Sequence, residues 1–196
     1  YGRYSVFGSD IVTAEIEQIC VASNRLSFDD YLACRFMHLI VTIFYNDGIF
    51  GSVLKFVRAS NISAWRWIEI LSALEVGGKL QTVFDSFIEA TKSELWDDPE
   101  KLWKFAKKDG VVERFIGGEI GNNLLFVHKT MAITNCVDDL AELALSATLK
   151  LLEENNLSTS ENVLFVKDAV KYHRNRMTNI FANLAQAISL IILAKN

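Results

Sequence analysis

From Ser27 onward, apolar residues recur every three or four positions, the period of a helix with one buried face. Ser27-Phe-Asp-Asp sets a hydroxyl three residues before the Asp30 carboxylate, the reciprocal capping arrangement of a helix start. The helix it predicts runs through Phe28, Tyr31, Leu32, Phe36, Leu39, Ile40, Ile43 and Phe44 to about Asn46, where Asp47-Gly48 stops it. Its apolar positions cover more than half the circumference, so it is expected to be central and buried on most sides. Residues 49–59 predict a second helix, ended by Ser60-Asn61. Ser63 is read as the cap of a third, with Trp65, Ile68, Leu71 and Ala73/Leu74 as its stripe up to Gly77-Gly78. Residues 79–95 repeat the period through Leu80, Val83, Phe84, Phe87 and Ile88. Asp98-Pro99 is a cap followed by proline in the first turn, opening a short helix through Leu102, Trp103 and Phe105 that closes at Asp109-Gly110. Gly117, Gly118 and Gly121 break the chain. Asn122 or Asn123 then begins a long helical pattern to Asn156, with Ile133-Thr134-Asn135 as a place where it bends or divides. Ser158-Thr-Ser-Glu starts the last pattern, which continues to Ala194.

Residues 1–22 read differently. Tyr4, Val6 and Phe7 precede Gly-Ser-Asp, after which Val12, Ala14 and Ile16 alternate like a strand while Val12, Ile16, Ile19 and Cys20 also fit a helix. The β-branched content favours extended structure. The fold class is therefore all-α: a multi-helix bundle or orthogonal helical domain of about eight helices, with a short extended N-terminal segment. The domain organisation is an extended lead-in over 1–22 and a single α-helical domain over 23–196, since no linker, repeat or long charge run divides the rest. The single proline, Pro99, and ten glycines suit helices better than a loop-rich β-sandwich.

Charge changes the picture by exclusion. Lys and Arg number 20 against 24 Asp and Glu, a net charge of −4, so a phosphate backbone is a poor partner and no nucleic-acid binding is expected. The apolar run 187–194 is interrupted by Ser189 and too short for a bilayer, so it reads as a core helix and no membrane partner is expected. Cys20, Cys34 and Cys136 are odd in number and widely spaced, which favours free thiols in the reducing cytoplasm over a disulfide framework.

Candidate chemistry is sparse. Cys34 and His38 lie one helical turn apart, with Asp30 a turn earlier; the spacing could hold a metal, but Cys and His in so apolar a helix more often pack in a core. Gly77-Gly78 and Gly117-Gly118-Glu-Ile-Gly121 lack both common phosphate-loop patterns and read as helix ends. Lys167, Lys171 and Arg174 share a helical face, as do Tyr172 and Arg176; this basic cluster is read as a solvated face first and a docking surface for an acidic partner second. Trp65, Trp67, Trp96 and Trp103, with Phe44, Tyr45, Phe84 and Phe87, either form core or line a pocket for a planar ligand. Trp65 and Trp67 must face different ways. His128 and His173 are far apart in sequence, and nothing local activates a nucleophile. No catalytic, cofactor-binding or metal-ligating residue is assigned.

One stretch carries a resemblance. Leu26, Ser27, Asp29, Asp30, Tyr31, Arg35, Phe44, Tyr45, Asn46 and Asp47 resemble the region following the catalytic barrel in cobalamin-binding-domain radical SAM proteins, where a similar capped start leads into an Arg-containing helix ending near Phe-Tyr-Asn-Asp. The likeness is strongest over about residues 1–50, and the lead-in 1–22 resembles the chain leaving the barrel. It implies a non-catalytic C-terminal helical domain that covers the barrel or shapes its substrate pocket, with the upstream domains of the same polypeptide as its partner. A [4Fe–4S] cluster, S-adenosylmethionine and cobalamin are implied for the parent enzyme alone. The chain has no CxxxCxxC, so none of these is expected in this chain. Two other readings stand beside it, a stand-alone helical interaction module and a small helical ligand-binding bundle, and homo-oligomerisation is left open.

Overall fold

The computed structural model describes residues 2–13 and 16–178. The chain opens with an antiparallel hairpin, β1 (Gly2–Val6) and β2 (Ser9–Thr13), pairing Gly2 with Thr13 and Val6 with Ser9. Its two-residue turn, Phe7-Gly8, has φ of 51° and 79°, the left-handed pair that matches strand twist. The extended reading of the lead-in therefore holds over the hairpin. Residues 16–26 form no further regular element apart from a bridge between Ser23 and Leu26. The last predicted stretch, including the run 187–194, lies outside the described residues.

Nine α-helices follow among the described residues. In α1 (Phe28–Val41) the capping box is formed as its residues predict: Asp30 N–H donates to Ser27 Oγ at 3.1 Å, and Ser27 N–H to Asp30 Oδ2 at 2.9 Å. The helix runs on as a π-helical turn, Thr42–Asn46, closed by Asp47 N–H donating to the Thr42 carbonyl. Burial is less even than the apolar pattern implies. Leu39, Ile40, Ile43 and Phe44 are fully buried, but Cys34 and His38 face solvent and Phe36 is half-buried, edge-on to Phe84. The centre of the molecule is thus the C-terminal half of this helix, not its whole length.

Helix α2 (Gly51–Ala59) begins two residues later than predicted, after Gly48 turns the chain at φ 58°. It ends in a Schellman motif: Asn61 takes φ 57°, its N–H donating to the Arg58 carbonyl, and the buried Ile62 donates to Val57. Helix α3 (Ala64–Ala73) follows Ser63, whose backbone sits at the cap position but whose hydroxyl makes no capping bond. Helices α4 (Gly78–Ser93) and α5 (Pro99–Ala106) match their patterns, and Asp98 caps α5 by accepting from Glu100 N–H at 2.7 Å. The structure adds a short helix, α6 (Val111–Ile116), between α5 and the glycine break. It is six residues long, too short to show a stripe, and ends in a second Schellman motif at Gly117-Gly118. The long pattern divides into α7 (Leu124–Asn135), capped by Asn123, and α8 (Val137–Glu154), at Cys136. Helix α9 (Ser160–Met177) is capped by Thr159, one residue after the predicted Ser158.

The core joins α1 and its π turn with α2, α3, α4, α7, α8 and α9. Helix α8 lies between α3 and α9, and α4 runs against α7. Trp67, fully buried, stands edge-on to Phe44 at 5.9 Å, and Phe44 stacks on Phe50. Helices α5 and α6 contribute only Ala106 and Val111 to the buried residues and stand outside that core. Among the described residues no single helix is long and apolar enough to cross a membrane.

Candidate functional site

The gap between the outlying α5–α6 pair and the body is a cleft of two adjoining chambers, about 510 and 570 Å³. Ile16, Glu94, Trp96 and Leu102 border both. Three local features hold it open. Helix α4 ends at Ser93, and Trp96 in the connection to α5 lies tilted against Phe105 of α5, with ring centroids 5.1 Å apart, instead of entering the core. The Schellman turn after α6 sends the chain back, and Asn122 Nδ2 fixes it by donating to the Gly118 carbonyl at 2.6 Å. The lead-in, Ile16 to Val21, forms the opposing rim.

The wall supplied by α1 carries Tyr31 and Arg35. Arg35 Cζ lies 5.7 Å from the centre of the Phe87 ring, a cation–π placement. Its Nε is shielded from solvent and has no hydrogen-bond partner among the described residues. An orphaned buried donor costs about 1–3 kcal/mol, and more for a charged group. Across the chamber, burial raises the Glu94 carboxyl above the usual carboxylate range, and the Arg35 charge partly opposes that rise. The two do not form an ion pair. Asp97 on the rim is held low by its hydrogen bond with Lys101, 3.0 Å away, and Thr91 donates to the Phe87 carbonyl. Arg35 and Glu94 are thus opposite charges on the walls of one chamber, neither in an ion pair among the described residues.

The residues singled out by sequence fall in different places. Asp30 is occupied in the α1 cap, its carboxyl held low by Ser27. Cys34 and His38 are exposed, which corrects their reading as core groups: they lie on the face of α1 turned away from the helices that bury Leu39 and Ile40. Cys20 is exposed and Cys136 buried, its thiol pushed up by burial and by Asp139. Among the described residues no group of three or more His, Cys, Asp or Glu side chains is placed to hold a metal. Gly78, at φ 62°, opens α4, but Asp139 Oδ2 accepts from Leu80 N–H at 3.3 Å and occupies that helix end. A carboxylate there leaves no phosphate cradle.

Of the aromatics, Phe44, Trp67, Phe84 and Phe87 are core, Trp65, Trp103 and Tyr45 are exposed, and Trp96 borders the cleft. Trp67 and Trp65 do face opposite ways. In the basic cluster Arg174 pairs with Asp138, Arg176 lies over the Tyr172 ring, and Lys167 and Lys171 are exposed. His173 is buried, and its Nε2 accepts from Ser52 N–H at 3.0 Å, supplying from α9 the cap that α2 lacks in its own sequence. Burial and the Arg176 charge lower its pKa, consistent with the neutral ring that accepting requires.

The fold also makes a pair invisible in the sequence. His128 Nδ1 faces the Leu124 carbonyl at 2.9 Å, so that nitrogen carries the proton and Nε2 is free to accept from Ser86 Oγ at 3.3 Å. A backbone carbonyl, not a carboxylate, stands behind the imidazole, and neither residue borders the cleft, so the contact fixes α7 against α4. Glu94 was not singled out by sequence at all. Arg35 did carry a signal, as the only fully charged side chain between Asp30 and Asp47 in an otherwise apolar helix. No protein-family model, curated protein or solved structure matches the chain.

Proposed function

We propose that the chain is an accessory, non-catalytic helical domain of a radical SAM enzyme of the cobalamin-dependent type, acting in the cytoplasm. The observation that carries this reading is the hairpin. Tyr4, Val6 and Ile11 are exposed on it, Phe7 at its tip is fully exposed, and among the described residues its one ion pair to the body is Arg3 with Glu113 at 2.8 Å. An isolated two-stranded hairpin is marginal in water, and this one presents apolar side chains where a covering surface would bury them. The residues that resemble the family lie just beyond it. Ser27 and Asp30 start α1, while Tyr31 and Arg35 border the cleft beside the lead-in. Phe44 is core, Tyr45 accepts from Arg58 at 2.8 Å, and Asp47 pairs with Lys129 at 3.0 Å. In this reading the hairpin packs against the catalytic part of the same polypeptide, and the cluster, S-adenosylmethionine and cobalamin belong to that part.

The test is the transcript upstream of Tyr1. The reading expects an in-frame coding sequence containing CxxxCxxC. An in-frame start codon directly before Tyr1, or an upstream region without three clustered cysteines, contradicts it and leaves a stand-alone interaction module using the same hairpin.

A further inference from the structure

We propose that the cleft between α1, the end of α4 and the α5–α6 pair is a binding site for a flat apolar zwitterion, of the class of aromatic amino acids. The walls set the ligand's chemistry. Trp96, Leu102, Phe105 and Ile16 supply an apolar slot bordered by an indole, which suits a flat ring. Arg35 borders the chamber and makes no ion pair among the described residues, and the terminal nitrogens of a guanidinium form a fork that matches a carboxylate. Glu94 borders the same chamber and forms no ion pair with Arg35, so a ligand ammonium can neutralise it. A simple anion would answer Arg35 and meet Glu94 and Glu17 with the wrong sign. A simple cation would leave the Arg35 donor unmet. A zwitterion on an apolar body satisfies both ends at once. This inference stands apart from the accessory-domain reading, because the upstream coding sequence neither requires nor forbids it.

The experiment is a titration of the protein, indole-¹⁵N labelled, with L-phenylalanine, 3-phenylpropionate and phenethylamine, the Trp96 signal being assigned with W96F. The expected result is saturable movement of the Trp96 signal in the millimolar range with phenylalanine, and weaker movement with either one-charge analogue. R35M should weaken phenylalanine binding about tenfold or more, the scale of one lost charge-assisted hydrogen bond. E94Q should bring phenylalanine down to the level of 3-phenylpropionate. If circular dichroism shows R35M misfolded, R35K keeps the charge without the fork and must also bind more weakly. The proposal is overturned if phenylalanine fails to saturate, if all three compounds bind alike, or if folded Arg35 variants bind as the native protein does.

Discussion

Two regions of this molecule treat a buried polar group in opposite ways. At the α3–α8 contact, Trp67 Nε1–H donates to Thr148 Oγ1 at 3.0 Å, and that hydroxyl donates in turn to the Ala144 carbonyl at 2.6 Å. Every hydrogen there has an acceptor, and both residues are wholly buried. At the α1–α4 wall of the cleft, Arg35 Nε has none among the described residues. Completed buried networks stiffen a fold, whereas a buried donor left unmet detracts from stability. The first region holds the domain together; the second is where it has something left to bind.

The largest effect expected from that contrast is at Trp67. Trp67→Ala should lose about 3–5 kcal/mol in urea unfolding, by transfer and cavity terms, while Trp96→Ala should lose less than about 1 kcal/mol. Near-equal losses would erase the distinction between the regions. Next comes Thr148→Val, which keeps the shape and strands the indole N–H, for a loss of about 1–3 kcal/mol.

A smaller effect is expected from His173. Its folded pKa lies below the ordinary 6.5, so the unfolded chain takes up the proton first. The stability it contributes is present above pH 6.5 and is lost as pH falls from there through the lower folded pKa. A His173→Gln variant, whose amide oxygen can still accept from Ser52, should flatten that part of the stability–pH curve. An unchanged slope would mean that the imidazole does not act as the α2 cap. The smallest effect concerns Asp138→Asn, which breaks the exposed pair with Arg174 and should change stability by about 0.5 kcal/mol or less.

The sequence revealed what local chemistry determines and hid what only packing determines. Ser27, Asp98 and Asn123 act as caps, and Asn61 and Gly118 end helices, because those roles depend on a residue's own backbone and its near neighbours. Ser63 looked the same and is not a side-chain cap, and α6 is too short for its period to show. Apolar content overstated the burial of α1: a run rich in Phe, Leu and Ile says that a helix packs, but which turns pack depends on neighbours remote in sequence, hence exposed Cys34 and His38. The cleft was legible only as Trp96 among other aromatics and as the solitary charge of Arg35. Its partner wall, Glu94, and the α9-to-α2 cap by His173 join residues 59 and 121 positions apart.

The most direct test of the contrast is the unfolding of Arg35→Met, a side chain that ends about where Nε lies and places no donor there. If Arg35 is an unmet donor held for a ligand, the urea midpoint should stay or rise, because the desolvation cost removed is about 1–3 kcal/mol against about 0.5–1 kcal/mol for the lost contact with Phe87. A loss of more than about 1 kcal/mol, with a native circular dichroism spectrum, would show that Arg35 is a structural tie and that the cleft is no different in kind from the core.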